Sequence, residues 1–398
     1  MGLVTRLLLL LALALAGCQQ TAEPPEPDLH HLAETDHPVV SLAVTADRDR
    51  LHVAWAEEQA DGAYFARHSH SEDGGGSWSD PVTIDTDQRA PSRVHRSNDL
   101  RIAAHGDHLL VVWQTRGDGF ADSGPMVMAE SEDAGQNWMA TPPPANEEDS
   151  QAHGFFGLHA DAEGTWHLAW LDMRNGAQGL RYAQRPPDLQ DWNLTHTLDP
   201  ATCQCCWNTV ASADDRLWVL YRALDPRDMA LARSEDGGGS WQLDGVVGGF
   251  DWDVDACPHV GGDLALDNGT DPRLHALVWT GEEQAAGVHY LHAPADNTTS
   301  WSSPRRLGGT EAGNPALVST DAGSLLAAWD EHNRIHVATN NNGDWLEATV
   351  SSEDRRASHP LLTTTRHGTQ VFWTERDADG QRRWAMARLP AERTREAE

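Results

Sequence analysis

The sequence predicts an all-β protein built from seven copies of one unit. Short apolar runs that end in an aromatic residue recur along the chain, at Trp55, Trp113, Trp170, Tyr221, Trp279, Trp329 and Trp373. Their alternation of residue types and their β-branched and aromatic content are typical of strands. After six of the seven aromatic residues come a second strand-like run, a turn and another Trp. Such self-similarity along a chain indicates a repeat architecture.

Three of these turns have almost the same sequence, which is SEDGGGSW at 71–78 and 234–241 and SEDAGQNW at 131–138. The Asp can accept backbone N–H bonds, the Gly can adopt a positive φ, and the Trp can pack against a neighbouring unit. The pattern resembles the Asp-box, or BNR, repeat of sialidase-like β-propellers, Ser-x-Asp-x-Gly-x-x-Trp. The matching positions, to which the resemblance gives a structural role, are Ser71, Asp73, Gly75, Trp78, Ser131, Asp133, Gly135, Trp138, Ser234, Asp236, Gly238 and Trp241.

The resemblance covers roughly residues 30 to 390 and implies a β-propeller of four-stranded antiparallel blades. Seven units favour seven blades, and six, the usual number in sialidases, is the alternative. The last unit has no clear outer strand, and we expect the segment 28–34 to supply it and to close the ring. The expected organisation is a signal peptide at 1–17, a tether at 18–30, the propeller at 31–390 and a charged tail at 391–398.

The N-terminal segment, MGLVTRLLLLLALALAGC, is typical of an export signal. Its apolar run follows a single Arg and is too short to cross a bilayer. Its end, Leu-Ala-Gly-Cys, resembles the bacterial lipobox, which implies cleavage before Cys18 and acylation of the Cys18 sulfur. In that family of signals, Gln19 after the lipidated residue favours the outer membrane. We therefore expect a protein anchored by lipid in the cell envelope, with an ordinary signal peptide as the alternative.

The charge of the chain excludes some partners. The formal net charge is −32, and none of the 29 basic residues is Lys. A field of this sign repels polyanions, so we expect neither nucleic acid nor anionic lipid as a partner. The expected contact with the membrane is the lipid on Cys18.

Four cysteines remain after the lipidated residue, three of them in the stretch TCQCCWNTV at 202–210. In an oxidising compartment paired cysteines can form disulfides. One interpretation is therefore a structural staple, Cys203–Cys257, with Cys205 and Cys206 joined to each other or left free. A catalytic or redox-active thiol is a further alternative, although no partner motif accompanies these cysteines.

A second interpretation of the cysteines is a metal site. Histidines open four of the seven predicted inner strands, and the starts of inner strands converge around the axis of a propeller. Thiolate and imidazole together suit copper or zinc, whereas calcium prefers oxygen ligands. The expected ligands are drawn from Cys205, Cys206, Cys257, His259, His153, His37 and His359.

The resemblance also implies sialidase activity as an alternative function. Such enzymes use three arginines to hold the substrate carboxylate, a Tyr activated by Glu as nucleophile and an Asp as acid/base. The Arg-Ile-Pro motif expected before the first Asp box is absent, and all four tyrosines lie within predicted strands. The catalytic candidates are charged residues on predicted loops of the channel face, Asp172, Arg174, Arg222 and Asp228.

These observations favour a lipid-anchored binding protein over an enzyme. We expect its site at the channel mouth formed by the inner-strand starts, with copper or zinc as the ligand. A glycan-active enzyme or lectin is the first alternative. The second is a platform for another envelope protein, for which Trp207 and Trp252 would suit the mouth.

Overall fold

The computed structural model describes the chain at 28–31, 37–84, 86–91, 96–119, 122–145, 152–174, 176–267, 269–320, 322–341 and 343–389. The predicted signal peptide, the predicted lipidation site Cys18, nearly all of the predicted tether and the predicted C-terminal tail lie outside these residues. The described residues form 28 strands and no α-helix. None of them belongs to a helix long and apolar enough to cross a membrane.

The strands form seven four-stranded antiparallel sheets, so the prediction of seven blades rather than six is confirmed. We number the blades 1 to 7 by the chain order of their inner strands, which are β2 (Val39–Asp47), β6 (Arg101–His105), β10 (His153–Ala160), β14 (Thr209–Ala213), β18 (Asp263–Leu266), β22 (Gly313–Ser319) and β26 (Arg356–Thr365). The second strands carry the recurring aromatic residues and are β3 (Arg50–Glu58), β7 (His108–Arg116), β11 (Trp166–Arg174), β15 (Arg216–Arg222), β19 (Arg273–Thr280), β23 (Leu325–Glu331) and β27 (Gly368–Arg376).

The third and outer strands complete each blade. The third strands are β4 (Tyr64–Ser71), β8 (Ser123–Ser131), β12 (Ala177–Arg185), β16 (Met229–Ser234), β20 (Gly287–Pro294), β24 (Arg334–Asn341) and β28 (Arg382–Leu389). The outer strands of blades 1 to 6, followed by that of blade 7, are β5 (Val82–Thr83), β9 (Met139–Thr141), β13 (Asn193–Asp199), β17 (Gln242–Val246), β21 (Arg305–Leu307), β25 (Asp344–Thr349) and β1 (Asp28–His31).

The inner strands form a closed circle. Each contacts the inner strands of the blades before and after it, and β26 of blade 7 contacts β2 of blade 1. Blade 7 is completed from the other end of the chain, because β1 pairs antiparallel with β28, with Asp28 opposite Arg388 and His31 opposite Ala385. The predicted closure of the ring is therefore confirmed for residues 28–31, and the remainder of the segment 28–34 lies outside the described residues.

The core consists of apolar layers between adjacent blades. The aromatic residues of the second strands include four that are at most 1% exposed, Trp55, Trp170, Trp329 and Trp373. In one layer, Trp166 of blade 3 packs with Leu110 and Val112 of blade 2. Burying a large apolar side chain stabilises a fold by roughly 1.5–3 kcal/mol. Because every layer needs two blades, no blade buries its apolar face alone.

The three Ser-x-Asp turns share one hydrogen-bond pattern. In blade 1, Ser71 Oγ donates to Asp73 Oδ1 and accepts the Gly75 N–H, both at 2.8 Å. Asp73 Oδ1 also accepts the Ser77 N–H at 2.8 Å. The indole Nε1 of Trp78 donates to the Gly75 carbonyl at 3.2 Å. The turns of blades 2 and 4 repeat these bonds, so each turn is fixed by its own side chains.

Each of these turns also packs against the preceding blade. The Trp241 ring lies 4.7 Å from the Tyr182 ring of blade 3. The Trp78 ring lies 5.3 Å from the Trp384 ring of blade 7, so the contact continues across the closure of the ring. Gly238 has a φ of +90°, and a Cβ at this position would lie 2.6 Å from the Tyr182 Oη. The turn therefore needs a glycine both for its backbone and for its contact with the preceding blade.

We expect Gly238→Ala to destabilise the protein more than Gly237→Ala, although both glycines have positive φ, +90° and +66°. A left-handed backbone costs an L-residue roughly 1–2 kcal/mol at either position. Only at 238 does the added methyl group meet Tyr182, since nothing lies within 4 Å of a Cβ at 237. Overpacking of this kind adds about 1–3 kcal/mol. Chemical denaturation measures both free energies of unfolding, and equal losses would contradict the role given to Gly238.

Candidate functional site

The segment 200–206 connects the outer strand of blade 3 to the inner strand of blade 4 and lies against both blades. The Thr202 N–H donates to the Gln178 carbonyl of blade 3 at 2.9 Å, and the Cys203 N–H donates to the Arg222 carbonyl of blade 4 at 3.1 Å. Buried backbone groups need such partners. The segment is therefore held by the start of β12 and the end of β15, and its cysteines have a fixed position ahead of β14.

Cys203, Cys205 and Cys206 bring their sulfur atoms together. The Cys203 Sγ lies 3.8 Å from the Cys205 Sγ and 3.7 Å from the Cys206 Sγ. All three side chains are buried, and Phe155 of β10 packs against them. Cys257, in contrast, is exposed, and all four cysteines carry free thiols. The structure therefore contains neither of the disulfides considered from the sequence.

The surroundings of the three clustered thiols shift their pKa values in different directions. Hydrogen bonds with Cys205 and then Cys206 lower the pKa of the Cys203 thiol. The contact with Cys203 is also the main cause that raises the pKa of Cys205, whereas burial is the main cause that raises the pKa of Cys206. The Arg227 Nη1 donates to the Cys203 Sγ at 3.4 Å. Of the three sulfurs, that of Cys203 is therefore the one whose ionised form its surroundings favour.

The arrangement of the sulfurs suits a soft metal ion. Among the described residues, these three cysteines are the one group of three or more His, Cys, Asp or Glu ligands whose atoms all lie within 4.8 Å of one another. Thiolates select copper(I), zinc and iron–sulfur centres. At a Zn–S distance of about 2.3 Å, two sulfurs of a tetrahedral site lie roughly 3.8 Å apart. The observed separations of 3.7 and 3.8 Å are close to this value, so the two pairs that include Cys203 already have the spacing of such a site.

The predicted histidines do not join the sulfur cluster. Of the predicted ligands, Cys205 and Cys206 belong to it, and those outside it are Cys257, His259, His153, His37 and His359. His153 is buried, and its Nδ1 accepts the Met126 N–H of blade 2 at 3.2 Å. His153 is the first residue of β10, whereas His259 is exposed on the loop before β18. His153 and His259 therefore lie outside the cluster, and Cys203 is its third member.

Asp172 and Arg174, two of the catalytic candidates, belong to the interior of a blade. Asp172 is 0% exposed and accepts hydrogen bonds from the Trp170 Nε1 at 2.9 Å and the Arg181 Nε at 2.8 Å. The Arg174 Nε donates to the same carboxylate at 2.8 Å. The acidic residue two positions after the aromatic residue of the second strand thus fixes the indole ring and an arginine side chain of the third strand. The sequence carries this signal as Trp-x-Asp/Glu, and the same contacts join Trp55, Glu57 and Arg67, and also Trp373, Glu375 and Arg383.

Arg222 and Asp228, the other two candidates, hold the long connection between β17 and β18. Arg222 is 2% exposed, and its Nη2 donates to the Val260 and Trp279 carbonyls at 2.9 Å each. Asp228 accepts three backbone N–H groups from residues 250–252. Both side chains therefore serve the protein's own backbone beside the cysteine cluster.

The two tryptophans predicted at the channel mouth pack inward. Trp252 is 9% exposed, and the Arg222 guanidinium lies 5.5 Å from its ring. Trp207 is half-buried and donates its Nε1 to the Gly262 carbonyl at 3.0 Å. Trp252 is therefore largely covered, whereas Trp207 keeps part of its surface exposed and lines the axial cavity.

The inner strands enclose a cavity of about 170 Å³ on the propeller axis. All seven blades line it, through residues that include Val44, Arg101, Gly157, Asn208, Asp263, Asn314 and His359. Asp330 lies beside it and accepts the His359 N–H at 2.7 Å and the Asn314 Nδ2 at 2.9 Å. Burial raises the pKa of Asp263 and of Asp330 to about 6. Arg101 and Asp263 were not predicted, because each appears in the sequence as an ordinary strand residue.

Comparison with known proteins shows a similarity of fold. No family profile and no curated protein matches the chain. Among solved structures, Trypanosoma rangeli sialidase is similar over 89% of this chain and 55% of its own, with a TM-score of 0.51 and 12% identity. Its complex with 2,3-difluoro-KDN gives a TM-score of 0.53 at 12% identity, over 89% of this chain and 54% of the sialidase. The chain thus spans about half the length of these sialidases.

A mutant of the α-L-arabinofuranosidase arb93a from Fusarium graminearum, in complex with an iminosugar inhibitor, is similar over a larger share. It covers 90% of this chain and 95% of its own, with a TM-score of 0.52 and 14% identity. Sialidases and this glycoside hydrolase therefore share the propeller fold with the chain. At such identities the likeness concerns the fold alone.

We expect the stability of the wild-type protein to rise relative to that of Asp330→Asn when the pH falls from 7 to 5. Burial raises the pKa of Asp330 from 3.8 to about 6, so the folded state binds this proton more tightly than the unfolded chain. Its contribution to stability is complete below the unfolded pKa and is lost as the pH rises through the folded pKa. The expected gain is about 1 kcal/mol. Denaturation of both proteins at both pH values measures it, and an unchanged difference would contradict the raised pKa.

Proposed function

We propose that this protein binds a soft metal ion, copper(I) before zinc, at the cluster of Cys203, Cys205 and Cys206. The observation that supports the proposal is the convergence of three buried sulfur atoms within 4.8 Å. Metal binding requires thiolates and therefore releases thiol protons. The ion then replaces the contacts among the three sulfur-bearing side chains.

The number of donors favours copper(I) over zinc. Three thiolates complete the coordination of a copper(I) ion, whereas structural zinc is bound by four ligands. Three thiolates and one monovalent cation carry an excess of negative charge. Arg227 lies 3.4 Å from the Cys203 Sγ, and the charge of Arg222 also lowers the pKa of Cys203. The two guanidinium groups offset this excess charge and so favour the metal-bound state.

The expected export of the chain is consistent with a bound metal. Free thiols oxidise in the cell envelope, and coordination protects them. The lipobox at Cys18 supports attachment to the outer membrane by lipid, and the Pro/Glu-rich segment 18–30 supports a tether between lipid and propeller. The shared hydrogen bonds of the three Ser-x-Asp turns support their interpretation as Asp boxes with a structural role. In this proposal the protein is a lipid-anchored metal-binding propeller of the envelope.

Copper binding tests the proposed site. The purified protein is titrated with copper(I) without oxygen, in competition with a chromophoric chelator, and we expect one ion per chain. We expect Cys203→Ser, Cys205→Ser and Cys206→Ser each to weaken binding at least about 100-fold, because changes even outside the first ligand shell weaken metal binding 10- to 100-fold. The absorbance of the chelator complex gives the affinities.

Cys257→Ser and His259→Ala are matched controls, because both residues are exposed and lie outside the cluster. We expect both variants to bind copper(I) as the wild-type protein does. Loss of binding in either control, or full binding by Cys206→Ser, would contradict the proposed ligands. Binding of zinc but not of copper(I) would overturn the choice of ion.

A glycan-binding or glycan-active propeller is the second candidate function. The fold shared with a sialidase and an arabinofuranosidase favours it. The residues first considered for this chemistry make hydrogen bonds within the protein, so other residues would have to perform it. Turnover of a fluorogenic sialoside or arabinofuranoside by the wild-type protein would support this candidate, and no turnover of either would oppose it.

A further inference from the structure

Arg101 of blade 2 presents unused hydrogen-bond donors to the axial cavity. Its Nε donates to the Phe156 carbonyl at 3.0 Å. Within the described ranges, no acceptor is hydrogen-bonded to its Nη1 or Nη2, and no carboxylate lies within 4.0 Å of the guanidinium. Arg96, which lines the same cavity, is different, because its Nη1 donates to Asp99 at 2.7 Å and its Nη2 donates to the His359 carbonyl at 3.1 Å. Arg96 therefore serves the fold, whereas Arg101 has two nitrogens available for a ligand.

Asp263 of blade 5 brings a negative charge to the same cavity. Its Oδ1 accepts the Leu264 N–H at 2.9 Å and its Oδ2 accepts the Leu317 N–H at 2.8 Å. In the part of the chain that the structure describes, no basic side chain lies within 4.0 Å of it. A carboxylate oxygen can accept more than one hydrogen bond. Asp263 is therefore fixed by backbone and retains acceptor capacity toward the cavity.

We propose that the cavity binds a small α-amino acid as a zwitterion, with its carboxylate on Arg101 and its ammonium group on Asp263. A guanidinium group binds a carboxylate through two parallel hydrogen bonds. A ligand with both charges satisfies both sides of the cavity, whereas a simple anion would leave Asp263 unpaired and repel it.

The volume of the cavity sets the size of the ligand. Its 170 Å³ is comparable to the roughly 150 Å³ of a cavity that holds benzene. Pockets that bury a drug-sized ligand measure about 300–1,000 Å³. The cavity is therefore of a size for glycine, alanine or serine. Because it uses no cysteine, this site is independent of the proposed metal site, and Cys206→Ser should bind the amino acid as the wild-type protein does.

Calorimetric titration with serine tests this site, with acetate and methylamine as probes that each carry one of the two charges. We expect the wild-type protein to bind serine at least about tenfold more tightly than either probe, because only serine pairs with both Arg101 and Asp263. We expect Arg101→Gln and Asp263→Asn each to weaken serine binding at least about tenfold. In Asp263→Asn the affinity for serine should also exceed the affinity for acetate by a smaller factor than in the wild-type protein. Arg376→Gln, at an exposed position on β27, is the control and should bind serine unchanged.

Two results would overturn the proposal. If acetate binds as tightly as serine, the cavity is a simple anion site. If none of the three probes gives saturable heat, the cavity is a water-filled channel. Thermal melts establish that each variant is folded. Should Arg101→Gln not fold, Arg101→Lys retains the charge and loses the paired donors. We expect it to bind serine more weakly than the wild-type protein does, and unchanged binding would contradict the role of Arg101.

Discussion

The need to satisfy the backbone groups on the open edges of the inner strands is the constraint on which the rest of this structure depends. The inner strand of each blade has one edge without a strand partner, and buried backbone groups must be hydrogen-bonded. Here side chains from the adjacent blade supply the partners. Asp263 of blade 5 accepts the Leu317 N–H of blade 6 at 2.8 Å, and Asn208 of blade 4 donates to the Phe155 carbonyl of blade 3 at 2.7 Å. Polar side chains therefore concentrate on the axis, while apolar side chains fill the layers between blades.

Phe155 connects this constraint to the cysteine cluster. It has a φ of +57° and lies at a shift in the register of β10, between Gly154 and Gly157. Its carbonyl accepts the Asn208 amide at the axis, and its ring packs against the sulfurs. One irregular residue thus contributes to the boundaries of both sites. Backbone outliers of this kind are common at functional positions.

The fold could be predicted from the sequence, because its signals are local and repeated. Each blade carries its aromatic residue within a strand, and the missing strand of blade 7 left a gap that only the segment 28–34 was placed to fill. The ligand cluster was predicted in part, since Cys205 and Cys206 belong to it. The choice of Cys203 over Cys257 depends on how the segment 200–206 turns between blades, which sequence spacing does not determine. No sequence pattern pointed to Arg101, because the role proposed for it depends on the absence of hydrogen-bond partners for its Nη1 and Nη2 among the described residues.

The closure of the ring by β1 determines the order in which the protein can be completed. Asp28 pairs with Arg388, so the two strands that seal blade 7 lie at opposite ends of the described chain. During synthesis β1 leaves the ribosome first, and its partner β28 leaves last. The entropy of closing so long a loop must be overcome before the ring is sealed. Until then the edge of β28 and the apolar layer between blades 7 and 1 remain open to other chains. Aggregation during production is therefore a risk of this stage, and it ends when the ring closes.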